Sequence, residues 1–146
     1  MRKYKQGKYI PRNPDKYVGN PNDIIYRSSW EYRFMYWLDQ NAQVMKWSSE
    51  TTIVPYKSPK DSRYHRYFVD FKMQVKTNAG DVKTYLVEIK PEVQCLPPKT
   101  PKRQTQKYIN EVLTYSVNQA KWAAAEQFAK ARGYEFVVLT EKHLNL

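Results

Sequence analysis

The sequence predicts an α/β fold with a mixed central sheet flanked by helices. Three observations carry this. Two strand-like runs, His65–Lys76 and Lys83–Lys90, flank Asn78-Ala79-Gly80, a three-residue hairpin loop in which Gly80 supplies the left-handed backbone. An alanine-rich amphipathic stretch, Val117–Arg132, is followed by the apolar run Glu135–Thr140. An amphipathic helix pattern also begins at Ser28 or Ser29, before any of the strands.

Residues 1–25 read as an irregular basic N-terminal arm, broken by Pro11, Pro14 and Pro21 and loosened by Gly7 and Gly19. Residues 26–146 read as one domain. Ser28-Ser29-Trp30-Glu31 is a capping box, in which serine and glutamate serve the unpaired amides of a helix start. Trp30, Phe34, Trp37 and Leu38 recur at helical spacing as its buried stripe, and Asn41 is its stop. Val44–Trp47 and Thr52–Tyr56 read as short strands, the second at an edge because Pro55 lacks an amide. Lys57–Arg63 is a polar loop. Pro91 ends the hairpin and opens a loop over 91–103. Two helices are expected next, Gln106–Leu113 and Val117–Arg132. Ser116 caps the second, Gly133 ends it, and Val117, Ala120, Ala124, Phe128 and Ala131 are its buried face. The helix then returns Glu135–Thr140 parallel to Leu86–Lys90. Helix, antiparallel hairpin, helix and parallel strand, in that order, is the restriction-endonuclease-like arrangement.

The hairpin carries the chemistry. Asp70 and Glu88 are each nine residues from Ala79, so the pairing sets them opposite one another unless a bulge shifts the register. Side chains alternate along a strand. Val69, Phe71, Met73 and Val75 therefore share an apolar face with Tyr85, Val87 and Ile89. Asp70, Lys72, Glu88 and Lys90 share the other. Opposed carboxylates repel unless a cation lies between them, and hard oxygen ligands suit Mg²⁺ or Mn²⁺. An aspartate facing Glu-x-Lys is how metal-dependent nucleases of the PD-(D/E)xK type build their site. The competing reading is a solvated lattice of salt bridges on an exposed sheet face. In the nuclease reading Asp70 and Glu88 hold the metal with the Ile89 carbonyl, and Lys90 orients or deprotonates water. The pattern fits one metal or two. Glu31 alone reads as a helix cap. Lys121 lies on the same helical face as Val117 and Phe128 and is an accessory candidate through the reach of its side chain.

The chain has 146 residues and net charge +11, which points to a polyanion such as DNA. Charge concentrates in two proline-containing segments. Residues 1–22 hold Arg2, Lys3, Lys5, Lys8, Arg12 and Lys16 against Asp15, with tyrosines interleaved. Residues 97–107 hold Lys99, Lys102, Arg103 and Lys107 with no acid. Lys3, Lys5, Lys8, Arg12, Lys99, Lys102, Arg103 and Lys107 are the expected phosphate contacts. The single cysteine, Cys95, excludes an internal disulfide, and with only two histidines a structural zinc site is not expected. No run is long and apolar enough to span a membrane, and no small-molecule cofactor motif is present.

Tyr26-Arg27-Ser28-Ser29-Trp30-Glu31, Ser49-Glu50-Thr51, Val54-Pro55-Tyr56, Arg66-Tyr67-Phe68-Val69-Asp70, Val87-Glu88-Ile89-Lys90-Pro91 and Thr114-Tyr115-Ser116-Val117-Asn118 follow one another in order. As an ordered set they resemble the head completion nucleases of large myovirus-type tailed phages and, more distantly, TnsA-like transposon endonucleases. The resemblance runs over nearly the whole chain. Val69 stands where the motif's name has proline. The resemblance implies a nuclease acting on double-stranded DNA as an endonuclease, an exonuclease or both, preparing filled heads for tail joining. It implies head, portal or neck proteins as partners, and a place in the host cytoplasm during assembly or in the head and neck of the virion. It also implies a catalytic role for Glu31, at a second metal or through a bound water, beside Asp70, Glu88 and Lys90. The alternative from another class is a non-catalytic DNA-binding connector at the portal.

Overall fold

Ser28 starts the first helix of the computed structural model, which describes residues 6–144. Its hydroxyl accepts from the Glu31 amide at 3.0 Å, and Glu31 Oε1 accepts from the Arg27 amide at 3.1 Å. The first bond serves an amide that a helix start leaves unpaired, and the second ties Glu31 back to the residue before the cap. Helix α1 (Ser29–Gln40) stops at Asn41. Its buried stripe is rotated from the expected one. Phe34, Met35 and Leu38 are buried, while Trp37 is exposed and stacks on Phe34.

The main sheet has four strands in the order β3 (Val44–Ser49), β6 (Phe71–Lys76), β7 (Val82–Ile89) and β8 (Glu135–Leu139). The first two interfaces are antiparallel and the last is parallel. The hairpin has the register read from the sequence, running from Lys76 opposite Val82 to Phe71 opposite Val87 without a slip. Gly80 has φ +91° in the turn. A second, two-stranded sheet pairs β4 (Ile53–Lys57) with β5 (Tyr64–Phe68), and a third pairs β1 (Gly7–Lys8) with β2 (Ile25–Tyr26).

Four expectations need correction. The run His65–Lys76 is two strands, because at Val69–Asp70 the chain leaves β4 for β3 and β7. The Val69 amide donates to Thr52 O, and the Glu50 amide donates to Asp70 O, each at 3.0 Å. The loop after Pro91 holds a short helix, α2 (Glu92–Cys95). The two helices expected beyond it are one, α3 (Gln106–Ala131), capped by Thr105. Ser116 lies inside α3, where its hydroxyl donates to Val112 O at 2.9 Å.

The fourth concerns the arm, whose described part, residues 6–25, is docked on the core. Tyr9 and Ile24 are buried, and Asp39 at the end of α1 ties the segment down. Asp39 accepts from the Tyr9 hydroxyl at 2.7 Å and from the amides of Arg12 and Asn13 at 2.8 and 3.0 Å. Lys16 Nζ donates to the carbonyls of Asp39 and Asn41, where the helix ends on unpaired acceptors.

Both faces of the main sheet are covered. Phe71, Met73 and Val87 pack with α1, Tyr9 and Ile24. Leu86 and Val69 pack with Val54, Tyr56 and Tyr67 and with Trp122, Ala125 and Ala129 of α3. Val117, Ala120, Ala124 and Phe128 flank that contact, whereas Ala131 is exposed. Val69 therefore lies in a different cluster from Phe71, although strict alternation would place the two together.

Candidate active site

Asp70 sits at the bend between β5 and β6, and Glu88 near the end of β7. The ladder ends one pair short of them, and Asp70 completes it with its side chain, since Oδ2 accepts from the Ile89 amide at 2.8 Å. Glu88 Oε1 accepts from the Tyr67 hydroxyl at 2.6 Å. Glu88 Oε2 lies 3.7 Å from Lys90 Nζ. One oxygen of each carboxylate is thus fixed by the protein.

These groups meet around a cavity of about 250 Å³ lined by Ser28, Trp30, Glu31, Asp70, Glu88, Ile89, Lys90, Pro91 and Gln94. The structure therefore brings together Glu31, Asp70, Glu88 and Lys90, which the sequence places on three separate segments. A solvated lattice is excluded, because Glu88 is only 6% exposed.

Electrostatics make the site acidic and tense. Burial, and then the neighbouring Glu88 carboxylate, push the Asp70 carboxyl well above the ordinary aspartate value. The Ile89 amide opposes this, and the charge of Glu31 adds to it. Glu31 is also raised, first by burial, against the Arg27 amide, with the charges of Glu50 and Glu88 adding. Like charges this close and this dry do not both ionise without a compensating cation. A half-buried aspartate and a buried glutamate, each held by a protein donor, are hard oxygen ligands of the kind a divalent cation takes. Among the described residues no three His, Cys, Asp or Glu side chains are grouped tightly enough to cage an ion by themselves. The donor set at hand is therefore the Asp70–Glu88 pair and whatever backbone or water oxygen joins it.

Several site residues are given no role by the sequence, although Glu50 and Tyr67 lie within the ordered family segments. Tyr67 reaches Glu88 only because β5 pairs with β4 in a separate sheet. Gln94 comes from α2, inside what reads as a loop. Glu50, at φ 55°, turns β3 into β4, and its side chain is paired with Arg27 just before the cap of α1. A non-glycine residue held in this region marks a backbone fixed by its surroundings, and here those surroundings include the carbonyl of Asp70.

The other expected residues are more scattered. Lys121 does not line the cavity. Its Nζ lies 5.6 Å from the Tyr67 ring centre and 5.8 Å from that of Tyr56, one side chain removed from Glu88. Lys99 and Lys107 line a larger groove of about 1060 Å³ between the residues around α2 and the first half of α3, and Gln94 belongs to both cavities. Lys102 and Arg103 are exposed beside it. Lys8 is exposed, and the Arg12 guanidinium lies 5.9 Å from the Tyr36 ring centre. Lys3 and Lys5 lie outside the described residues.

Residues 41–141 match the family model described as the TnsA-like endonuclease N-terminal domain. The chain belongs to the TnsA-like endonuclease family. It is also 41% identical over 142 residues to the head completion nuclease of Enterobacteria phage T4, an alignment spanning 94% of this chain and 92% of that protein. The resemblance drawn from the ordered motifs holds on both counts. In this TnsA-like endonuclease the matched span contains Asp70, Glu88 and Lys90 and begins after Glu31, which α1 supplies.

Proposed function

We propose that this protein is a Mg²⁺- or Mn²⁺-dependent deoxyribonuclease of the PD-(D/E)xK type, acting at phage head completion to prepare DNA-filled heads for tail joining. The observation that carries the reading is the Asp70–Glu88 pair, a half-buried aspartate and a buried glutamate, hydrogen-bonded by Ile89 and Tyr67 and sharing one cavity with Lys90. Membership of a nuclease family and the name of the T4 relative support it.

Hydrolysis of a phosphodiester forms a bond from water oxygen to phosphorus and breaks one to the leaving sugar oxygen, which must take a proton. The divalent ion, when bound, acidifies water and offsets the phosphate charge. Asp70 and Glu88 would hold it, with the Ile89 carbonyl as the candidate third donor. The Ile89 amide and Tyr67 hydroxyl fix the two carboxylates in place, as outer partners do for metal-binding side chains. Lys90 directs its donors into the cavity, where it orients water and stabilises charge developing on the phosphate. Glu31, which lines the same cavity, would orient a water or a second ion. Double-stranded DNA is the substrate, with the head, portal or neck as the protein partner and the host cytoplasm during assembly as the place of action.

Supercoiled plasmid incubated with Mg²⁺ tests the reading. The wild-type chain should nick it, and Asp70→Ala and Lys90→Ala should bind it without nicking. DNA binding without cleavage by the wild-type chain would make the protein a connector instead.

A further inference from the structure

The β4–β5 ribbon gives only one face to the rest of the protein. Val54, Tyr56 and Tyr67 point inward against α3. On the other face the register sets Ile53 opposite Phe68, Pro55 opposite Arg66 and Lys57 opposite Tyr64. All six are exposed, and the rings are unusually so, with Tyr64 at 76% and Phe68 at 43%. The Arg66 guanidinium lies between the two rings in sequence and 5.7 Å from the centre of Phe68.

The surface is also basic. Residues 57–66 carry Lys57, Lys60, Arg63 and Arg66 against Asp61 alone, and Asp61 is occupied by His65 and the Arg63 amide. Phe68 is two residues from Asp70 along the chain, at the end of β5 nearest the bend that carries it.

We infer that this face is a stacking platform for single-stranded DNA, which guides an unpaired strand to Asp70 and Glu88. The inference rests on the nuclease reading for its destination but not for the binding itself. Duplex DNA offers phosphates and groove edges, and hides the flat faces of its bases. Unpaired bases expose those faces, and aromatic side chains interleaved with cations take bases and phosphates together. Tyr64 and Phe68 are about 13 Å apart along the strand, so each ring takes its own base. The substrate implied is a frayed end, flap or gap.

The test is fluorescence anisotropy in EDTA, with a labelled oligo-dT and a labelled blunt hairpin duplex. Tyr64→Ala and Phe68→Ala, alone and together, are compared with wild type, with circular dichroism as the check on folding. Tyr64→Ala removes a side chain that is mostly in water, so its fold is expected to be intact. Each ring lost should weaken oligo-dT binding about five- to a hundredfold, with duplex binding changed less than about twofold, and Tyr64→Phe should restore it. Unchanged oligo-dT affinity, or equal loss for duplex, overturns the inference. So does a defect confined to binding a head or neck protein, which would assign the face to that partner. Binding is read in EDTA, where no cleavage is possible, so loss or retention of oligo-dT affinity in the ring variants is independent of whether the wild-type chain nicks plasmid, which separates failure of this inference from failure of the nuclease reading.

Discussion

The Tyr67 hydroxyl donates to Glu88 Oε1 at 2.6 Å in a buried setting, joining the two-stranded β4–β5 sheet to the main one at the cavity. Tyr67→Phe removes the donor and leaves a buried carboxylate oxygen unpaired. That costs roughly 1–3 kcal/mol of stability, and loss of such an outer partner lowers metal affinity or rate about 10–100-fold. Urea unfolding and plasmid nicking on the same preparation measure both. A Tyr67→Phe protein with wild-type rate and stability would remove Tyr67 from the account.

Asp70 sets a pH dependence in metal-free protein. Its folded pKa lies above its unfolded one, so its contribution favours folding below the unfolded value and is lost as pH rises through the folded value. Glu31 acts in the same direction. In EDTA, the Tm of Asp70→Asn relative to wild type should therefore rise as pH climbs from acid toward neutrality and beyond, with the variant the more stable protein at the high end. Differential scanning calorimetry across that range checks it, and parallel curves for the two proteins would contradict it.

Asp39 has the opposite sign. Burial alone would raise its pKa, but the hydrogen bonds from Tyr9, Arg12 and Asn13 outweigh this and hold it below the usual aspartate value. Its stabilisation is present above the unfolded pKa and lost as pH falls through the folded one. Asp39→Ala should cost about 2–3 kcal/mol at neutral pH, the range for a lost hydrogen bond to a charged group. It should also release residues 6–25 to protease before the rest unfolds. Limited proteolysis with mass spectrometry reads the order of cleavage.

The hairpin was legible because turn chemistry and alternation agree there. A glycine fixes the turn, equal arms fix the register, and Asp70 therefore meets the end of β7. The split at Val69–Asp70 was not legible, since Tyr67, Val69 and Phe71 keep their alternation while changing partners. Ser116 misled because a serine inside a helix can satisfy its hydroxyl on the carbonyl four residues back. The basic opening segment hid its docking, because an aspartate in α1 makes the tie and no local pattern announces a partner 27 residues away. Of the site, the two carboxylates and Lys90 follow from spacing, and Glu31 from family resemblance. Tyr67 and Gln94 depend on how separate elements pack.

The basic segment after α2 should govern affinity without touching chemistry. Lys99 and Lys107 line the groove that adjoins the catalytic cavity, with Lys102 and Arg103 beside it. Each phosphate contact on duplex DNA contributes about 0.9 to the slope of log K against log salt. Neutralising all four should flatten the slope by roughly 3–4 units, while Mn²⁺ binding is unchanged. Anisotropy titrations at several salt concentrations measure this. An unchanged slope would assign the charge to contact with a protein partner instead of DNA.

A divalent metal held by Asp70 and Glu88 beside Lys90 is what every step of the proposed hydrolysis requires. Crystals of the protein soaked in Mn²⁺ and measured for anomalous scattering test it most directly. A peak is expected between the two carboxylates, with an oxygen from each at roughly 2.1 Å, lost in Asp70→Ala crystals. No peak there at saturating Mn²⁺, or a peak bound to neither residue, would contradict it.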